Sequence, residues 1–260
     1  MAWALITGAS SGLGAEFARQ LAKRYNLILV ARNEARMQAL KAQLSGGHEV
    51  RVLSADLTQD ADVRRVEEAI TGEPELSLLV NNAGLGTVGK FHELDAAGEQ
   101  GEVLLNVNAL VRLSHAALGN FIKSRVHGAG IINVGSVAGF QPGPYTAVYA
   151  ATKSFVKTFS LSIAEEVRGE GIHVQCLCPG FTRTEFQERG HIDVSRLPDF
   201  AWMSAEDVVK YSIDNFAPGK PVVVVPGLLN KAMALTSTSI PEAINARLMS
   251  TIMKSALSVD

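Results

Sequence analysis

Short apolar runs alternate with amphipathic stretches along most of the chain. The runs Ala4–Thr7, Leu27–Ala31, Val50–Ser54, Leu78–Asn81, Ile131–Val134, His173–Leu177 and Val222–Val225 are strand-sized and mostly aliphatic. Between them, Gly12–Arg24, Glu34–Leu44, Asp60–Thr71, Ala96–Arg125, Ala147–Arg168 and Ala205–Phe216 read as helices. Short apolar strands alternating with longer helices predict a parallel sheet covered on both faces. No repeat or low-complexity linker splits the pattern. The expectation is one α/β domain over residues 1–260, built on a seven-stranded, doubly wound parallel sheet.

Two segments break this rhythm. Residues 181–204 lack a strong period and carry many polar side chains, which predicts a long excursion over the sheet, of the kind that lids a binding site. The excursion ends at Ser204-Ala-Glu-Asp207, a capping-box pattern for the next helix. After Gly227, a tail over 228–260 places Ile240, Ile244, Leu248, Ile252, Met253 and Ala256 at helical spacing around Pro241. That spacing predicts a packed amphipathic helix, with a subunit or membrane-surface contact as the alternative.

Composition removes several classes of function. A net charge of -2 with scattered basic residues gives no face for nucleic acid, and no apolar run is long enough to span a bilayer. The first strand begins close to Met1, which predicts no cleaved leader. The only cysteines, Cys176 and Cys178, fall two apart on one strand, poor geometry for a disulfide, so a reducing, cytoplasmic setting is expected. None of the six histidines shows metal-ligand spacing, and no metal site is expected. His191, in the excursion, is either a solvated loop residue or a substrate contact. Phe140, Phe181, Phe186 and Trp202 either line a pocket or pack.

The first strand leads into Thr7-Gly8-Ala9-Ser10-Ser11-Gly12-Leu13-Gly14 and then a helix. Glycines there let the chain turn tightly and bring backbone N–H groups to a ligand, and the helix N-terminus attracts a pyrophosphate. The spacing is G-x-x-x-G-x-G. An ordinary loop could carry it, but its position after strand one of an alternating chain points to a dinucleotide. The second strand ends Ala31-Arg32-Asn33 without an acid at its tip. A carboxylate would repel a 2′-phosphate and a guanidinium pairs with it, so Arg32 predicts NADP(H) over NAD(H), with Asn33 as a helper. Asp56-Leu57 closes strand three either at the adenine edge or simply as a turn.

Ser136 follows strand five, and Tyr149 and Lys153 stand four apart, on one face of a helix. Hydride arriving at a carbonyl carbon leaves charge on oxygen, and a placed acid must supply a proton. An ammonium beside a phenol favours the phenolate, so Lys153, together with the nicotinamide charge, is expected to lower the pKa of Tyr149.

Gly8 to Gly14, Asn81-Asn82-Ala83-Gly84, Ser136 and Tyr149-x-x-x-Lys153 together resemble the short-chain dehydrogenase/reductase family, from Trp3 to about Pro226. The resemblance implies a Rossmann-like fold and a nicotinamide cofactor. It makes Tyr149 the general acid in reduction and the base in oxidation, Lys153 the ribose-binding residue and Ser136 the orienter of the carbonyl. It makes Asn108 the fourth catalytic residue, preferred on spacing to its neighbour Asn106. Asn82, Ala83 and Gly84 fall on the adenosine side, and Pro179, Gly180, Thr182 and Thr184 on the nicotinamide side. Ser11 stands where many NADP-using members carry a base. Tyr149–Phe155, Cys178–Phe186 and Pro226–Lys231 are similar to a bacterial group related to β-hydroxysteroid dehydrogenases, which implies an apolar ketone or alcohol. A homodimer or homotetramer is implied as well.

Two other functions use such a pocket. A non-catalytic NADP(H) sensor would not need an acid, its lysine and the serine together. A sugar-nucleotide epimerase would need a larger C-terminal substrate domain than the roughly 35 residues after the last strand, since domains run to about 50 residues or more.

Overall fold

A computed structural model describes residues 1–44, 47–190 and 198–257. In chain order the strands and helices are β1 Trp3–Thr7, α1 Gly12–Leu21, β2 Asn26–Ala31, α2 Glu34–Leu44, β3 Val50–Ser54, α3 Asp60–Thr71 and β4 Leu76–Asn81. They continue with α4 Ala96–Val103, α5 Leu110–Ser124, β5 Gly130–Val134, α6 Ala147–Glu166 and β6 His173–Leu177. Then come β7 Thr182–Arg183, α7 Phe186–Arg189, β8 Met203–Ser204, α8 Ala205–Asp214, β9 Val223–Val224, α9 Leu228–Ser239 and α10 Glu242–Leu257.

Seven strands form one parallel sheet in the order β3-β2-β1-β4-β5-β6-β9. Successive residues of a strand point to opposite faces, and the buried β1 feeds two layers. Ala4 and Ile6 pack with Phe17 and Leu21 of α1, Met37 of α2 and Val208 of α8. Trp3 and Leu5 pack with Val66 and Ile70 of α3 and Leu113 and Phe121 of α5. This is the expected Rossmann-like, doubly wound architecture. The strand order reverses between β1 and β4, and the crevice beyond their carboxyl ends is where such sheets bind ligands.

Three regions depart from the pattern. The helix expected over Ala96–Arg125 is interrupted by a wider π turn at Leu104–Ala109 between α4 and α5. The excursion over 181–204 contains structure of its own, because β7 pairs in parallel with β8 and α7 follows β7. His191 lies outside the described residues. The cap at Ser204 forms as the sequence implies, its Oγ accepting from the Asp207 N–H at 3.0 Å. In the tail, the chain breaks at Ile240 and Pro241 into α9 and α10. The expected packing of its apolar stripe is corrected: Ile244, Leu248 and Ile252 stay exposed.

A buried polar ladder ties the middle of the sheet to the helices beneath it. Asn81 donates to Asn133 Oδ1 at 2.9 Å and to Ser114 at 3.0 Å, and Asn133 donates to Ser160 at 3.0 Å. All four residues are almost inaccessible, so each depends on the others for its partners. Asn133→Ala would strand the Asn81 amide and open a cavity. It is expected to lower the unfolding free energy by about 2–3 kcal/mol, measured by urea denaturation.

Candidate active site

The glycine turn is set by sterics. Gly8 and Gly12 have φ of 66° and 54°, where side chains are disfavoured. A Cβ on Gly14 would lie 2.3 Å from the Gly8 carbonyl oxygen, so only glycine lets α1 start this close to β1. Asn82 locks the turn by donating from Nδ2 to the Thr7 carbonyl at 2.9 Å, and the Thr7 hydroxyl accepts from the N–H groups of Asn82 and Ala83 at 2.9 and 3.0 Å. Asn82 and Ala83 therefore join the ends of β1 and β4 at the switch point. Ser10, Ser11 and Gly12 line an open groove that continues past Arg19 and Arg36 to Glu185. Leu13, in the first turn of α1, packs against the core.

The same groove sorts the expected phosphate readers. Arg32 is exposed at the tip of β2. Asn33 is turned to another task, its Oδ1 accepting from the Arg36 N–H at 3.0 Å at the start of α2. Arg36 reaches across the groove to Glu185, 2.5 Å away. Sequence reasoning passed over this guanidinium because it sits on an ordinary-looking helix. Asp56 serves a turn, one carboxylate oxygen accepting from the Thr58 N–H and hydroxyl at 3.0 and 2.8 Å, while Leu57 is buried.

At the other end of the crevice, Thr184 sits over the glycine turn. A Cβ on Gly12 would be 3.2 Å from its Cβ. Pro179 accepts from the Val137 N–H at 3.0 Å, which ties this segment to the residue after Ser136. Thr182 is buried and donates to the Gly180 carbonyl at 3.1 Å. A Cβ on Gly180 would strike Asn230 at 2.3 Å, and Asn230 in turn donates to the Pro226 carbonyl at 2.8 Å. Asn230 of α9 thus buttresses the turn that positions the threonines. The Pro-Gly-x-x-Asn-Lys stretch held that signal, although sequence alone gave it no structural meaning.

Tyr149, Lys153 and Ser136 meet above the ends of β4 and β5. The Ser136 side chain neighbours the phenol and favours its ionised form, against burial, and the Tyr149 ring rests on Phe186, centroids 5.8 Å apart. Gly86 must lack a side chain there, since its Cβ would sit 2.8 Å from the ring. Lys153 is buried and donates from Nζ to the Val134 carbonyl at 2.9 Å. Its Nζ lies 5.7 Å from the centroid of the Tyr149 ring.

The side chain of Asn108 is exposed. Asn106 instead turns inward, its Oδ1 accepting from the Leu85 N–H at 3.1 Å and its Nδ2 donating to the Leu85 carbonyl and the Thr152 hydroxyl at 2.9 and 3.1 Å. Both asparagines lie in the π turn, which shifts the faces that a regular helix would present. Burial dominates at the phenol and pushes Tyr149 up to about 12, and burial pushes Lys153 down to about 8.

The pocket also holds two carboxyl groups that the sequence presents as ordinary helix acids. Glu99 and Glu102 of α4 are buried, and both oxygens face Thr87, with Glu99 2.5 Å and Glu102 3.1 Å from its hydroxyl. Tyr145, next to the Tyr149 helix, holds φ of 67°, rare for an aromatic residue.

A sequence profile of the short chain dehydrogenase family matches residues 2–193. The chain belongs to that family. It is an oxidoreductase of the alcohol and carbonyl group and binds a nicotinamide dinucleotide. A sulfoacetaldehyde reductase of Chromohalobacter salexigens is 38% identical over 187 residues, covering 70% of this chain and 72% of the relative. A short-chain dehydrogenase from Sphingobium yanoikuyae, solved in complex with NADPH, superposes with a TM-score of 0.82 at 36% identity, covering 94% of this chain and 97% of that one. A bulky-bulky ketone specific alcohol dehydrogenase from Comamonas testosteroni gives 0.78 at 33% identity, covering 94% and 96%. Among the described residues of this family member, no helix is long and apolar enough to cross a membrane, and no cluster of metal ligands occurs.

Burial, followed by the Glu99 charge, pushes Glu102 up to about 7 from an ordinary 4.5, against the Thr87 hydrogen bond. Between those values the folded chain holds a proton that the unfolded chain has lost, so native stability falls as pH rises through this window. Glu102→Gln removes that liability. Its unfolding free energy relative to wild type should climb from pH 4.5 and level off above pH 7, a gain of about 3 kcal/mol, read by urea denaturation across pH.

Proposed function

We propose that the chain is an NADP(H)-dependent reductase of bulky, apolar ketones, working as one domain. The observation that carries this reading is the meeting of the Tyr149 phenol, the Ser136 hydroxyl and the buried Lys153 beside the Gly8–Gly14 turn. In this reading the cofactor supplies hydride, held by the glycine turn, by Asn82 through Gly84 and by the segment Pro179 to Thr184. Ser136 orients the carbonyl oxygen and Tyr149 protonates it. A phenol that stays protonated at neutral pH is suited to this, because a forming alkoxide is a far stronger base. Lys153 binds ribose hydroxyls and returns a proton to the phenolate. Asn108 keeps the part that the family resemblance gives it, and Asn106 ties the π turn to Leu85 and Thr152.

Apolar specificity rests on Phe186 against the tyrosine and on Trp202 paired with Phe181, centroids 5.6 Å apart, around residues 181–204 as a lid. The Comamonas enzyme's ketone specificity and the NADPH bound to the Sphingobium protein support the two halves of the proposal. Exposed apolar side chains on α5, α6, α9 and α10 support assembly as a homodimer or homotetramer, in the cytoplasm.

Tyr149→Phe should keep NADPH affinity and lose at least about a hundredfold in turnover of an aryl or alicyclic ketone, followed by NADPH absorbance. Wild-type rates in that variant would refute the mechanism, and tight NADPH binding without turnover of any ketone or alcohol would favour the sensor. Arg32→Asp should raise the dissociation constant for NADPH about tenfold or more while leaving that for NADH within about twofold, measured by fluorescence titration. Equal wild-type constants for the two cofactors would show that Arg32 does not read the phosphate.

A further inference from the structure

The rim of the substrate mouth gathers positive charge that hydride chemistry does not use. One wall of the mouth is the loop after β4. At its near end a Cβ on Gly86 would sit 2.8 Å from the Tyr149 ring. At its far end the Gly89 N–H donates to the Tyr145 carbonyl at 2.9 Å. That bond fastens Tyr145 in its left-handed backbone, φ 67°, which an aromatic residue keeps only where surrounding contacts impose it. The loop from Gly86 to Gly89 spans at most about 10 Å, so both tyrosines border one opening.

Two ammonium groups stand at this opening. Lys90 follows Gly89 directly, and Lys254 of α10 comes from the tail, its Nζ 5.9 Å from the centroid of the Tyr145 ring. Lys90 lies 3.6 Å from Glu93, a solvated pair of little strength. Among the described residues, no carboxylate pairs with Lys254. The Tyr145 phenol registers both charges. It is held below its ordinary pKa first by the neighbouring Ser250 side chain and then by Lys254 and Lys90, against burial. The opening thus has an apolar floor, where Phe186 rests on Tyr149, and a cationic rim.

We propose that Lys254, Lys90 and the Tyr145 hydroxyl form an anion-binding rim that takes the carboxylate of a ketone substrate. The inference rests on the reductase reading above and adds a charged end to the apolar ketone. The carbonyl lies at Tyr149 and Ser136, and the hydrocarbon crosses the aromatic floor. At the rim the carboxylate accepts hydrogen bonds from the two ammonium groups and the phenol. The loop span sets a separation on the order of 10 Å between carbonyl and carboxylate. The rim is open to water, so its attraction is modest and screened by salt. These three residues select the substrate and take no part in its conversion.

A matched pair of ketones tests the rim: ω-benzoyloctanoate and the primary amide of the same chain. Wild type should reduce the carboxylate with kcat/KM about fivefold to tenfold above the amide, the difference lying in KM. Lys254→Gln should bring that ratio to within about twofold of parity, Lys254→Glu should invert it, and Lys254→Arg should keep it. Added salt should lower the wild-type ratio. Equal wild-type constants for the two ketones, or a ratio that Lys254→Glu leaves unchanged, overturns the proposal and leaves the reductase reading standing. Calorimetric titration of both ketones into NADP⁺-loaded protein measures the same preference without turnover. A protein that reduces neither ketone fells the reductase reading, and the titration then decides the rim by itself. Tighter binding of the carboxylate that Lys254→Glu abolishes supports the rim, and equal affinities overturn it.

Discussion

The site depends on one ammonium group held almost out of water. Lys153 is 5% exposed, and its Nζ donates to the Val134 carbonyl at the end of β5. A charge so placed is tolerated only where polar groups gather around it. The surroundings are arranged to that end. Gly84 leaves space beside Nζ, and Asn106 turns its amide inward. Burial still wins, which is why Lys153 titrates near 8. The same burial keeps the Tyr149 phenol protonated and pushes Glu102 up to about 7. All three ionisable groups are thus moved toward their neutral forms by one cause.

That common cause explains what the sequence hid. Strands and glycine turn were legible because their physics is local. Apolar runs bury wherever they form strands, and the short distance from Gly14 to the Gly8 carbonyl allows no substitute. The pairing of Tyr149 with Lys153 was legible because four residues is a fixed offset on a regular helix. The inward turn of Asn106 was not, because it depends on a π turn that no local pattern announces. Glu99 and Glu102 look like solvated acids on a polar helix. Only the packing of α4 against α6 makes them interior. The upward push on the Tyr149 phenol was hidden for a related reason. Sequence shows which charge is near, but desolvation is a property of the whole fold.

The fold also decides which parts of the chain count as site. Thr7 and Asn82 join β1 to β4, so the glycine turn and the strand that carries Gly84 cannot move apart independently. Val137, the residue after Ser136, bonds to Pro179, so the serine and the threonine segment share one support. Rigid elements hold the reacting groups, and the two edges of the groove are bridged by a more adaptable pair, Arg36 and Glu185, both about half exposed. An exposed ion pair contributes little to stability, roughly 0–1 kcal/mol, so ligand charge can compete for Arg36 at small cost.

The tail belongs to this arrangement. Asn230 fills the space that Gly180 leaves, and the Ser237 hydroxyl donates to Gln141 near the start of α6. Lys254 of α10 lies 5.9 Å from the ring centroid of Tyr145, whose backbone holds the left-handed conformation beside the site. Contacts of this kind connect α9 and α10 to both walls of the substrate mouth. The helices that shape the mouth also carry the exposed Leu235, Ile244, Leu248 and Ile252. Any surface that covers this apolar stripe therefore bears on Asn230 and Tyr145 as well. The two helices of the tail thus contact Gly180 and Tyr145 on one side and present an apolar stripe on the other.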